Sequence, residues 1–182
     1  MQWTIDTTHA GVEFAVKHLM ISTVKGRFTR FSGTGTTGSD GALASVTMTI
    51  DASSIDTNTA QRDAHLRSPD FFDVAAYPEI TFRSTAIDQR GSDVAITGEL
   101  TMRGVTKPVT LTGEYTGPSK DPWGNQRAAL AVDAKINRKD WGLTWNQALE
   151  TGGVVVADEV KLRIEVEAVA AAPQAAELAG TA

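Results

Sequence analysis

Apolar and polar residues alternate along most of this chain, and that period of two limits what it can fold into more than any other feature. The clearest run is Val160, Leu162, Ile164 and Val166 on one face, with Lys161, Arg163, Glu165 and Glu167 on the other. Such alternation marks a strand with one buried and one solvated side. It recurs in Val12, Phe14, Val16 and His18. A run over 24–34 through Gly26 and Phe28 falters near Phe31, as at a bulge, and 44–51 carries Val46, Met48 and Ile50. Four more runs follow. They are led by Ile80, Phe82, Ser84 and Ala86; by Val94, Ile96, Gly98, Leu100 and Met102; by Val109, Leu111, Gly113 and Tyr115; and by Ala128, Leu130, Val132, Ala134 and Ile136. With the first-quoted run these make eight strands. They predict an all-β fold, an extended eight-stranded antiparallel lipocalin-like barrel able to hold one small ligand. Trp3-Thr4-Ile5 reads as a short lead-in.

Two glycine features carry expectations of their own. Gly33, Gly35 and Gly38 match a G-x-G-x-x-G loop, but no helix follows to receive a phosphate, so the stretch reads as a flexible hairpin loop. If 104–107 is a four-residue turn, Met102 pairs with Val109, Leu100 with Leu111 and Gly98 with Gly113. Two adjacent glycines on the apolar face either curve the sheet or leave interior space, and both serve a ligand cavity.

One helical insert interrupts the strands, within 56–82. Asn58 and Gln61 stand at capping-box spacing, Arg62, His65 and Leu66 follow, and Pro69 ends the helix. A second short turn carries Phe71 and Phe72. The insert follows the third strand and is expected to close one end of the barrel. Residues 137–160, with Trp141 and Trp145, have too few strand signals for a hairpin and read as a candidate lid or end-filler. Trp123 sits at an exposed loop tip.

Composition excludes several functions. The chain of 182 residues has a net charge of −5 and no cysteine, so a nucleic-acid stripe, disulfides and thiolate metal sites are not expected. No apolar run approaches spanning length and no leader precedes Trp3. The expectation is a cytoplasmic protein without stable membrane insertion, periplasmic if a leader has been removed. One domain over 1–169 is predicted, followed by a disordered alanine-rich tail over 170–182. No H-x-H or H-x-x-x-H pair serves zinc, no nucleophile elbow exists, and Asp63, His65 and Ser68 do not face one another on a helix. A binding protein rather than an enzyme is therefore expected, with no metal and no cofactor. A homodimer is allowed, but no interface is legible.

These motifs form an ordered series. It runs Asp6 and His9; Phe14-x-Val16-x-His18; Gly26-x-Phe28; Arg62-Asp63-x-His65-Leu66-x-Ser68-x-Asp70-Phe71-Phe72; Tyr77-Pro78-x-Ile80-x-Phe82. It continues with Gly98-x-Leu100-Thr101-x-Arg103-Gly104; Arg138-x-Asp140-Trp141-Gly142-Leu143; and Asp158-Glu159-Val160. In this the chain resembles the YceI-like, lipocalin-like family of bacterial polyisoprenoid-binding proteins, from Trp3 to Ala168. It departs from the family at Ala10, where a serine is common.

The resemblance implies a barrel whose interior takes a long isoprenoid tail, as of a quinone or a polyprenyl carrier. A carrier of fatty acids or fatty amides and a packed interaction module without ligand are the alternatives. Contacts are expected from Phe14, Val16, His18, Phe28, Phe72, Phe82, Leu100, Trp141 and Trp145, with Gly98 and Gly113 giving room. Arg62, His65 and Arg138 either meet a polar head or pair with Asp63, Asp70 or Asp140.

Overall fold

A computed structural model describes residues 1–150 and 152–171. The strands are β1 (Gln2–Ile5), β2 (Gly11–His18), β3 (Ser22–Phe28), β4 (Phe31–Thr37), β5 (Leu43–Asp51) and β6 (Ile55–Asp56). After helix α1 (Ala60–Arg67) come β7 (Glu79–Arg90), β8 (Asp93–Met102), β9 (Val105–Lys120), β10 (Gln126–Asn137) and β11 (Val156–Ala170). All neighbouring strands are antiparallel. The order β1-β4-β5-β7-β8-β9-β10-β11 closes on itself through a β1–β11 pairing. The alternating apolar face of each strand turns inward, and the core lies on the barrel axis.

Two staves of this barrel are broken strands. β1 and β2 lie end to end along one edge of β11, opposite Ala168–Ala170 and residues 156–165. Asp6 makes the break, because its carboxylate accepts from the Thr8 N–H and hydroxyl and winds Thr7–His9 into a single 3₁₀ turn. β3 and β4 are divided at Thr29 and Arg30, whose N–H groups leave the ladder for the carbonyl and hydroxyl of Ser54. The expected eight staves are thus present, with a break where a bulge was predicted near Phe31.

Several expectations are corrected. Trp3-Thr4-Ile5 is no lead-in: it is the strand that closes the barrel, pairing with both β4 and β11. Gly33 and Gly35 lie inside β4, and the reversal comes later, through residues 38–42. Gly33 is needed for close approach, since a Cβ there would meet Ile5 Cδ1 at 2.5 Å and the Thr47 carbonyl at 2.6 Å. The β8–β9 turn has two residues, not four. Arg103 and Gly104 both take positive φ, 50° and 72°, as a type I′ reversal requires, and Met102 pairs with Val105. The register therefore moves by four residues, an even number, so every side chain keeps its predicted face. Gly98 and Gly113 are no longer partners: they oppose Val109 and Val94.

A bulge between Ser84 and Ala86 reverses the end of β7, leaving Ala86 exposed and turning Ile87 inward. The capping box is absent. Thr59 is the N-cap without a side-chain bond, and Asn58 has a φ of 58°. Instead the buried Asp63 carboxylate reaches back to the N–H and hydroxyl of Thr57, 2.9 and 2.5 Å away, and ties the first turn of α1 to the chain before it. Ala170, placed at the start of the tail, is paired with Trp3; from Ala172 onward that tail lies outside the described residues.

The two ends differ. At the helix end gather α1, the turn bearing Phe71 and Phe72, the Arg103-Gly104 turn and the segment after β10. At the distal end are the reversals at 38–42, 91–92 and 121–125. No helix among the described residues is long and apolar enough to cross a membrane.

Candidate ligand-binding cavity

The barrel is not filled. A cavity of about 220 Å³ runs along its axis, and every one of the eight staves contributes to its lining. That lining is almost wholly carbon. Phe14, Val16, Phe28, Phe72, Phe82 and Leu100, predicted as contacts, all face it, as do the inward residues of β11 from Val160 to Ala168. The barrel is hollow as expected, and the packed barrel named as an alternative is not what the structure shows.

The other predicted contacts stand elsewhere. Gly98 and Gly113 do not line the cavity. A Cβ on Gly98 would overlap the Phe82 ring at 2.4 Å and the Arg83 carbonyl at 2.5 Å, so the space is already taken by phenylalanine. At Gly113 a Cβ would come within 2.0 Å of the Ala131 carbonyl, which makes this glycine a site of close strand approach and sheet curvature. His18 ends β2 beyond the cavity, opposite Val156 and Ser22.

At the helix end, polar groups spend themselves on structure. Arg62 donates to the Thr57 hydroxyl and carbonyl and to the Thr59 hydroxyl at 2.7, 2.8 and 3.0 Å; none of its predicted aspartate partners is used. The His65 ring stands 2.8 Å from the Asp70 carboxylate and lies edge-on between Phe71 and Trp145. The Ser68 hydroxyl donates to the His65 carbonyl, not to its ring. Trp141 is 2% exposed and donates from Nε1 to the Leu100 carbonyl at 3.0 Å, plugging the barrel outside the cavity lining.

Arg138 is the centre of this end. Only 4% exposed, its guanidinium donates to the carbonyls of Ala157, Leu143, Trp145 and Val156, and it reaches the cavity wall. Burial lowers its affinity for the proton, and Asp158 at 3.6 Å opposes that shift. One arginine thus ties the irregular segment, through the carbonyls of Leu143 and Trp145, to the first two residues of β11 and makes it a fixed cover.

The distal end is closed by side chains on strands. Trp3 is buried and donates to the Thr37 hydroxyl; Tyr115 is buried and donates to the Gly41 carbonyl, its phenol pushed up by desolvation. Outside them Arg127 binds Asp121, Asp6 and Glu167 together. Asp6 is held well below the usual carboxylate range, first by the Thr8 hydroxyl and then by His9; Asp121 is held down first by Arg127. Asp6, His9 and Glu167 each offer a donor atom within 4.8 Å of the others, but Arg127 already sits between the two carboxylates as their cation. Nothing local in the sequence joins residues 6, 121, 127 and 167. Only barrel closure brings them together.

Comparison with known proteins places this geometry. The YceI-like domain family matches residues 3–168. Protein YceI of Escherichia coli O17:K52:H18 is 44% identical over 162 residues, which span 88% of this chain and 82% of that one. The crystal structure of the Campylobacter jejuni YCEI protein is similar at a TM-score of 0.75 and 31% identity, covering 86% of this chain and 90% of that one. A polyisoprenoid binding domain from Saccharophagus degradans shares the fold at a TM-score of 0.66 and 16% identity, covering 93% of this chain and 98% of its own.

Proposed function

This chain belongs to the YceI-like family, and from that premise we propose that its barrel binds and carries a long isoprenoid lipid, such as an isoprenoid quinone or a polyprenyl carrier, without turnover. The observation that carries this reading is the hollow interior. At about 24 cal/mol per Å³, leaving some 220 Å³ of apolar cavity unfilled costs on the order of 5 kcal/mol. A hydrocarbon tail recovers that and adds about 0.8 kcal/mol for each CH₂ taken from water, before ordering costs. The Saccharophagus degradans domain of the same fold is described as polyisoprenoid binding, which fits such a tail.

The polar groups nearest the cavity favour recognition by tail. Arg138 already serves four carbonyls, and Arg62 and His65 are engaged within the helix end. The cavity therefore selects by length and shape, and the head group lies outside it.

The test is mass spectrometry of an organic extract of the purified protein, paired with titration of a fluorescent polyprenyl analogue. A near-stoichiometric prenyl lipid supports the proposal; a fatty acid or amide in its place would replace isoprenoid by straight-chain amphiphile. Ile164→Trp, which projects an indole into mid-cavity from β11, should weaken analogue binding at least tenfold while the barrel still folds at a cost of about 1–3 kcal/mol. Undiminished binding by that variant would move the site out of the barrel.

A further inference from the structure

The hairpin joining β2 and β3 ends in a tip that folding alone does not explain. His18 pairs with Ser22, so the reversal is Leu19-Met20-Ile21, and Leu19 and Met20 take positive φ of 52° and 61°. Glycine, asparagine or aspartate make such turns with less strain. The side chains are nonetheless large, apolar and exposed: Leu19 by 37%, Met20 by 61% and Ile21 by 82%. Three of the six large apolar side chains left exposed among the described residues thus sit on one three-residue tip. The tip is held in place, since the Leu19 N–H donates to the Val155 carbonyl at 2.8 Å.

Beneath the tip, the outer face of the same strands carries an unbalanced charge. In register across the sheet stand Lys25, Ala15, Lys161 and Lys135. Lysines 161 and 135 are directly opposite each other, an arrangement that costs stability. Lys17 lies one step nearer the tip on the same face, opposite Thr23. Of these four lysines only Lys135 has a carboxylate in reach among the described residues, Glu159 at 3.8 Å.

The row two residues further from the tip is different. Arg27, Glu13, Arg163 and Asp133 alternate in sign, with Arg27 also bound to Asp56 and Arg163 to Asp133. One pair of rows, on the same strands, is neutral away from the tip and basic toward it, in a chain whose net charge is −5.

We propose that this apolar tip and the lysines behind it form a docking edge for an anionic lipid bilayer. Such a surface matches both parts: side chains that lose water at the acyl boundary, and cations that meet headgroup phosphates. With the tip at that boundary, Lys17 lies about 10 Å and the lysine row about 16 Å back along the strand, so the barrel leans onto its β2–β3 face and the long lysine stems reach the headgroups. The docking edge lies at the helix end, where a helix and a loop rather than strands close the cavity. It is separate from the cavity and does not depend on what the cavity holds.

The test is co-sedimentation of the full chain with vesicles of phosphatidylcholine alone and of phosphatidylcholine mixed with phosphatidylglycerol. Binding is expected to the mixed vesicles, weakened by salt, and much less to the neutral ones. Lys25→Ala with Lys161→Ala should weaken it roughly twenty-five-fold, from about fivefold for each lysine near a charged surface. Met20→Asp with Ile21→Asp, both on exposed side chains, should abolish it with unchanged circular dichroism. Ile164→Trp should leave vesicle binding intact, which separates docking from occupation of the cavity. Absence of wild-type binding to the anionic vesicles, or full binding by the Met20/Ile21 variant, overturns the proposal. So does loss of binding on Trp123→Ala, because Trp123 is exposed at the opposite end of the barrel.

Discussion

The two ends of this barrel are closed by different means. At the distal end Trp3 and Tyr115 project from paired strands, and Arg127 gathers three carboxylates outside them. At the helix end nothing that closes the barrel belongs to the barrel ladder. α1, the Phe71–Phe72 turn and the segment after β10 lie across the opening, held by Arg138, by Trp141 and by Arg103, which donates to the carbonyls of Phe71 and Gly142. Opening the distal end would require strands to separate. Opening the helix end leaves the strand ladder intact, breaking side chain to carbonyl bonds and exposing Phe71, Trp141 and Leu143, so a ligand in the cavity is expected to exchange there at lower cost.

The largest effect expected from this contrast is at Arg138. Arg138→Ala removes its bonds to four carbonyls in a buried place, of which only Val156 keeps a second side-chain donor in Asn146, and should cost roughly 3 kcal/mol in urea unfolding. Arg138→Lys should restore part of that, because an ammonium cannot reach all four at once. Release of a bound fluorescent lipid should quicken in both variants, in the same order. If Arg138→Ala destabilises the protein without changing release, the helix end is not the exit.

Trp141→Phe is a milder test of the same idea. It removes the bond to the Leu100 carbonyl and leaves a small gap, together worth about 1–2 kcal/mol. Amide hydrogen exchange should rise over 60–67 and 138–145 while β10 and the β10-facing part of β11 keep their protection. A uniform rise along the barrel would mean that the two ends open as one unit.

Much of this contrast was legible in the sequence and some was not. Alternation survives in long strands, so eight staves and, apart from the end of β7, their inward faces could be read from Val12 to Val166. It is too short to register in β1, whose four residues show their role only when both neighbours are present. Gly33 and Gly35 look like a loop because sequence shows flexibility and hides close approach. The β8–β9 register turned on whether Arg103 accepts positive φ, which its residue type does not announce. Five of the expected ligand contacts were aromatic or aliphatic residues on clear strands, and these line the cavity together with Phe72 from the turn after α1. Those that do not were chosen for charge, indole or small size, properties that serve anchoring, plugging and curvature equally well.

The smallest effect, and the one that probes the distal end alone, is its response to acid. Asp6 and Asp121 titrate well below the usual aspartate value of 3.8, so they bind fewer protons folded than unfolded. Their contribution is therefore fully present above that value and is lost as pH falls through the depressed range. Arg127→Met removes the first cause of the shift at Asp121 and a lesser one at Asp6, whose main support is the Thr8 hydroxyl. The stability difference between wild type and Arg127→Met should accordingly be constant near neutrality and shrink as pH drops below about 4. Lipid release should be the same in both proteins throughout, since this network holds strands together and the exit lies at the other end. A pH-independent difference would show that Arg127 acts by packing, and faster release in the variant would erase the distinction between a fixed end and an opening one.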